Sequence, residues 1–142
     1  ENVFDVSKNF LDSKKLKADY DFLLVDFHGE ITSEKMAIGH FFDGKATLVV
    51  GTHTHVPTND CRILIKGTAY QTDAGMCGDY NSVIGMNKEI SLNRFLKKTT
   101  DKNFPSNGNA SLCGVIVDAD DNSGLANKAE SFIFSGEHKV GI

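Results

Sequence analysis

The stretch LVVGTHTHV at residues 48–56 decides the fold, because it joins a buried strand to two histidines on one side of the chain. In an extended segment, residues i and i+2 point the same way, so His53 and His55 can reach a common point just past the strand. A second apolar run, FLLVDFH at residues 22–28, also ends on a histidine, His28. Imidazoles gathered at strand ends predict a metal site.

The segment between these two runs predicts a helix. It begins at Thr32 or Ser33, either of which is expected to cap it, and it ends at Gly44. A strand–helix–strand unit makes its two strands parallel and brings their carboxyl ends to one edge of the sheet. Ligands bind at that edge in open α/β sheets, so His28 and His53 are expected to lie close together there.

The rest of the chain predicts two more helices, with Ile90, Phe95 and Leu96 of the second facing inward. A hairpin is expected around Lys66-Gly67, and an antiparallel strand pair around the turn DDNSG at residues 120–124. The predicted helices are 5–17 and 88–97, the hairpin strands are 62–65 and 68–72, and the final strands are 110–118 and 129–134.

Composition indicates one globular domain, with 142 residues, 40% hydrophobic and 24% charged. The net charge of −4 argues against binding nucleic acid or anionic membranes through bulk charge. Three widely spaced cysteines (Cys61, Cys77, Cys113), the lack of a long apolar run and the lack of a signal sequence predict a cytoplasmic protein without a membrane span. The chain starts at Glu1 without a methionine, so we expect that it was processed, cut or expressed as a part.

Three neutral imidazoles alone suit a single zinc ion that keeps one position for water. A two-metal site needs carboxylates as well, to bridge the ions and offset their charge. On its own, the H-x-H spacing is equally consistent with a structural arrangement in which one histidine is in the core and the other is at the surface. Either Asp26 or Glu30 could orient a ligand imidazole. Alternatively Asp26 caps a turn and Glu30 is solvated, and for Glu30 the solvated position is favoured.

Other polar residues are interpreted as structural. His40 and His138 are expected at the surface, as is Arg62, although an arginine there could also meet a phosphate. Asp73, with the glycines near it, either shapes a substrate opening or forms a plain turn, and the turn is favoured.

Several blocks together resemble one known family. They are VDFHGE at 25–30 followed by TSEK at 32–35, VGTHTHVPT at 50–58, GTAYQTDAGM at 67–76, DYNSVIGM at 79–86, RFL at 94–96 and GVIVD at 114–118. In this order they resemble the YmdB-like branch of the calcineurin-like metallophosphoesterases, over nearly the whole chain.

The resemblance implies a four-layer α/β/β/α sandwich with a two-metal centre between its sheets. It implies hydrolysis of a small-molecule phosphodiester, with 2′,3′-cyclic nucleotides the first expectation, by two divalent ions (Fe, Mn or Zn). By position, His28 and His53 would bind one ion and His55 the other.

The chain also departs from the family pattern, which includes an early Asp, a bridging Glu, an Asn ligand and a catalytic His. The early strand-end G-D motif and the N-G-E-N and G-N-H motifs that carry them are missing here. We therefore expect residues 1–142 to be the C-terminal half of a single domain, with no catalytic residue of its own and little activity alone. The expected partners are the N-terminal half and further copies in a homo-oligomer. The alternatives are a single-zinc hydrolase built on three histidines and a non-catalytic remnant or assembly module.

Overall fold

The predicted strand–helix–strand unit is present in a computed structural model, which describes residues 2–98 and 100–134. The chain is a mixed α/β protein, and His138 lies outside the described residues. Its elements in chain order are α1 (Val3–Ser13), β1 (Leu24–His28), α2 (Thr32–Phe42), β2 (Leu48–Thr52), β3 (Arg62–Ile63), β4 (Ala69–Gln71), β5 (Gly78–Asp79), α3 (Lys88–Phe95), β6 (Ala110–Ala119) and β7 (Ala126–Phe134).

The first sheet has the strand order β1-β2-β4-β3. β1 and β2 are parallel, with Leu24 opposite Leu48 and His28 opposite Thr52. β4 runs parallel to β2, and β3 pairs with β4 in the antiparallel direction, which confirms the predicted hairpin. Because the first two strands end level with each other, the histidines that follow them lie at one edge of the sheet.

The second sheet is antiparallel, in the order β5-β6-β7. Its long strands β6 and β7 flank the predicted turn at residues 120–124, with a register shift at Asp118/Ala119. The turn is tied to the first sheet, since the Thr47 hydroxyl donates to the Gly124 carbonyl oxygen over 2.6 Å. Parallel and antiparallel sheets therefore belong to one packed unit.

The hydrophobic core lies between the first sheet and the helices α1 and α2. Gly39 allows the close approach of α2, because a Cβ at this position would lie 2.4 Å from the Tyr70 ring. Most of the buried apolar side chains come from these elements and the segments next to them: Leu11, Ile38, Phe42, Ala46, Val49, Leu64 and Tyr70. No helix in the described ranges is long and apolar enough to cross a membrane.

Three details of the predicted helices are wrong. α1 begins at Val3, where Asn2 Oδ1 accepts from the Phe4 N–H over 2.9 Å, and it ends at Ser13 because Lys14 is extended. α2 follows Ile31, which provides no side-chain cap, so neither Thr32 nor Ser33 is the N-cap. In α3 and just after it, Phe95 is 81% and Leu96 52% exposed, so these side chains do not face the core.

Candidate metal centre

His28 and His53 meet at the carboxyl edge of the parallel sheet. His28 is the last residue of β1, and His53 directly follows β2. Their ring centroids are 5.1 Å apart, and His28 Nε2 lies 3.2 Å from His53 Nδ1. The parallel pairing of two neighbouring strands thus brings together imidazoles that are 25 residues apart in sequence.

Each of the two rings also has a hydrogen-bond partner on its other nitrogen. The Thr52 hydroxyl donates to Asp26 Oδ1 over 3.2 Å, so its oxygen accepts from His28 Nδ1 over 3.1 Å. His53 Nε2 donates to the Glu30 carboxylate. The other two nitrogens, His28 Nε2 and His53 Nδ1, face each other within hydrogen-bonding distance, and which of them donates depends on the tautomer. Glu30, although 81% exposed at its side chain, is therefore not merely solvated as predicted.

Two ring nitrogens 3.2 Å apart can share a proton or coordinate one cation between them. Two nitrogen ligands at about 2.1 Å from one zinc-like ion, with a ligand–metal–ligand angle of about 100°, are about 3.2 Å apart. The spacing of this histidine pair therefore fits coordination of one cation. Asp26, through Thr52, and Glu30 orient the two rings as carboxylates commonly orient histidine ligands.

His55 lies apart from this pair in its contacts. Its Nδ1 donates to the Ile84 carbonyl oxygen over 2.9 Å, which leaves Nε2 as the nitrogen with a lone pair. Across residues 2–98 and 100–134, no group of three or more His, Cys, Asp or Glu side chains is close enough to hold a metal ion. The described part of the chain thus contains a histidine pair plus one separate imidazole, rather than a closed three-histidine site.

The backbone of the histidine loop is strained. His53 has φ 147° and His55 has φ 65°, both in the region that residues other than glycine rarely occupy. Such conformations persist only where the surroundings enforce them, and they cluster at functional sites. The strain indicates that the positions of these two side chains are held by other contacts.

A buried ion pair beneath the loop supplies such contacts. Lys35 Nζ lies 2.9 Å from Asp73 Oδ2, with the two side chains 1% and 0% exposed. The same Oδ2 accepts from the N–H of Thr54, the residue between the two loop histidines, over 2.9 Å, and Oδ1 accepts from the Gly75 N–H. Burial alone would raise the pKa of Asp73, but the Thr54 N–H, the Lys35 ammonium and the Gly75 N–H outweigh it and lower that pKa.

Sequence reasoning missed Lys35 and placed Asp73 in a plain turn. A signal was present for Lys35, because residues 35, 38, 39 and 42 follow the buried stripe of a helix and are all buried in α2. A lysine on that stripe requires a buried carboxylate partner. Arg62, predicted at the surface, is half-buried: it contacts Asp60 and lies over the Tyr70 ring at 5.1 Å. His40 is exposed, as predicted.

The fold makes the chain an α/β protein. The carboxyl edge of its parallel strands carries a histidine pair whose spacing fits one metal ion. The family model described as "YmdB-like protein" matches residues 1–132, and the chain belongs to this family, which confirms the resemblance.

Known relatives agree with that assignment. A 2′,3′-cyclic-nucleotide 2′-phosphodiesterase of Bacillus subtilis (strain 168) is 43% identical over 137 residues, covering 90% of this chain and 52% of the relative. The crystal structure of a novel phosphatase of Mycoplasma pneumoniae has a TM-score of 0.82 at 44% identity, over 94% of this chain and 46% of that one. The crystal structure of a hypothetical protein of Thermus thermophilus has a TM-score of 0.83 at 38% identity, over 94% of this chain and 51% of that one. The chain spans about half the length of the relatives it matches.

Proposed function

We propose that this chain is the part of a metal-dependent phosphodiesterase that supplies His28, His53 and His55 to a two-metal site. The whole protein would hydrolyse 2′,3′-cyclic nucleotides or related phosphodiesters. The observation that carries the proposal is the close approach of two imidazole nitrogens, His28 Nε2 and His53 Nδ1, 3.2 Å apart at the edge where α/β sheets bind ligands. The name of the Bacillus subtilis relative supports the choice of substrate.

In this proposal His28 and His53 hold one divalent ion (Fe, Mn or Zn), and His55 offers Nε2 to the second. The metal ions would act as Lewis acids on the phosphoryl oxygen and lower the pKa of bound water. The chain's own residues fix the ligands: Thr52 holds the tautomer of His28, and Glu30 holds that of His53.

The remaining ligands and the catalytic histidine are assigned to the other half of the protein. The lengths of the relatives support this division, since each is about twice as long as the aligned segment. We accordingly propose residues 1–142 as the C-terminal half of a four-layer calcineurin-like sandwich, in a cytoplasmic enzyme that forms homo-oligomers.

The test uses the native gene product that contains this chain, with 2′,3′-cyclic AMP as substrate and Mn²⁺ as metal. We expect His53→Ala to lower kcat/KM at least about 100-fold, because changing even the partners of metal ligands costs 10–100-fold. His40→Ala is the matched control, since His40 is exposed on α2. It should retain wild-type activity.

Equal activity of His53→Ala and the wild type would exclude His53 as a ligand and leave the assembly-module alternative. Full turnover by the 142-residue chain alone would contradict the division of the site between two halves.

A further inference from the structure

The turn that contacts His55 has an unfavourable residue at its tip. The Val83 and Met86 backbones donate to each other's carbonyl oxygens over 3.0 and 2.9 Å, with Ile84 at φ 50° and Gly85 at φ 88° between them. Two-residue turns with positive φ at both central positions favour Asn-Gly or Asp-Gly. A β-branched residue in the left-handed region is a genuine outlier. Since the Ile84 side chain is still 57% exposed, burial does little to offset this strain.

Ile84 forms one wall of a pocket of about 350 Å³. The lining also includes the apolar side chains of Met86 and Phe95 and three polar residues, Ser91, Arg94 and Asn103. This volume and an apolar lining with a few polar groups are typical of small-molecule sites. The Ile84 carbonyl oxygen accepts from His55 Nδ1 over 2.9 Å, so the wall of the pocket is hydrogen-bonded to a proposed metal ligand.

The charge beside the pocket is positive although the chain carries a net charge of −4. Arg94 lines both this pocket and a neighbouring depression that Lys97 and Lys98 also line. Phe95 is 81% exposed, which leaves its ring accessible to a planar ligand. An anion with a flat, largely apolar body fits this combination of an apolar wall, an aromatic ring and adjacent cations.

We propose that the pocket binds the nucleobase of the substrate and so makes the enzyme selective for nucleotides over other phosphodiesters. This inference rests on the proposed function, because it places the phosphate at the histidine site. Ile84 and Phe95 are the specificity-determining residues. The turn carries Ile84 in place of the less strained Asn or Asp because an apolar side chain at this position contacts the base.

The test compares binding of 2′,3′-cyclic AMP with that of methyl riboside 2,3-cyclic phosphate, which has the same cyclic phosphate without a base. Calorimetry on the metal-free native gene product measures both dissociation constants without turnover. We expect the base to tighten binding about tenfold or more, as base–aromatic stacking does in other proteins. Ile84→Asn and Phe95→Ala should each remove most of this difference. Asn suits the left-handed turn and retains the carbonyl group that His55 contacts.

Leu92→Ala is the control, since Leu92 is equally exposed on α3, at 57%, but is not among the lining residues. It should keep the full preference for the base. The proposal is overturned if the base adds less than threefold in the wild type, or if neither pocket variant changes its contribution. It is also overturned if Phe95→Ala lowers the association state in sedimentation, because the ring would then be covered by a second copy of the chain. Failure of the proposed function would give a different result. The metal-loaded protein would then not hydrolyse the cyclic phosphate, while the metal-free protein would still bind the compound with the base more tightly.

Discussion

At the scale of single residues, the two loop histidines depend on a charge pair that lies below them. Asp73 receives hydrogen bonds from the Thr54 N–H and from Lys35, and both side chains of the pair are buried. Because Thr54 lies between His53 and His55, a displaced Asp73 carboxylate would release the segment that sets both imidazoles. The pair therefore couples the stability of α2 to the geometry of the candidate site.

Lys35→Met is expected to lower the free energy of unfolding by about 3–5 kcal/mol, because it leaves the Asp73 carboxylate buried without its cation. Urea denaturation measures this value. The control is Lys8→Met, which removes a lysine from a Lys–Asp pair that is 65% and 62% exposed. Exposed pairs contribute less than about 1 kcal/mol, so an equal loss in both variants would contradict a special role for Lys35.

The same carboxylate gives this prediction a pH dependence. The pKa of Asp73 is lowered in the folded state, so its ionised form stabilises the protein above the unfolded-state pKa of about 3.9. That contribution is lost as the pH falls through the lower, folded-state pKa. The stability difference between wild type and Asp73→Asn should therefore shrink between pH 5 and strongly acidic solution, to about zero at the acid end.

At the scale of elements, apolar periodicity predicts the strands and helices well because burial produces it. β1, α2 and β2 form the expected unit, and the turn at 120–124 joins the expected strands. Phe95 fails the same rule, since an apolar residue in a helical pattern looks identical whether it faces the core or, as here, is 81% exposed. The Lys35–Asp73 contact was not predictable as a pair, because the partners are 38 residues apart and belong to different elements.

The histidine pair itself follows from local pattern and strand direction, whereas the placement of His55 does not. His55 contacts the Ile84 carbonyl group, which belongs to a turn 29 residues further along. Glu30 meets His53 only because β1 and β2 end side by side. Contacts of this kind depend on loop conformations, and hydrophobic periodicity carries no information about them.

Gly51→Ala tests the close approach of β2 and the segment after β4. A Cβ at Gly51 would lie 1.9 Å from the Thr72 carbonyl oxygen, which is backbone and cannot turn aside. We expect a loss of about 3 kcal/mol or more in unfolding free energy, at or above the upper end of ordinary overpacking. Gly78→Ala is the control, since its nearest neighbour would be the Met76 sulfur at 3.5 Å. Wild-type stability of Gly51→Ala in thermal denaturation would show that the strands separate more easily than this spacing indicates.

At the scale of the whole molecule, the chain matches only about half of its relatives' length, which is why the proposed site is divided between two halves. The described residues bring two imidazoles together and contain no cluster of three potential ligands. A pair of neutral nitrogens provides few bonds to a divalent ion, which usually takes four or more ligands.

Under the proposed division of the site, metal content should differ between the 142-residue chain and a longer gene product that contains it. After dialysis against Mn²⁺ and then buffer, we expect two ions per molecule for the longer product and substoichiometric metal for the chain alone. Inductively coupled plasma mass spectrometry gives both values. Two tightly held ions in the 142-residue chain would show that its own residues complete the site.

The position of β1 at one end of the sheet has a consequence for assembly. β1 has a hydrogen-bonded neighbour on one side only in the described residues, its Leu24 is 62% exposed, and its last residue is His28. If a separate chain extended the sheet along β1 and thereby ordered this imidazole, metal affinity and association at that edge would be linked, and each would strengthen the other by the same factor. Chelators would then loosen the assembly, and dilution would release metal.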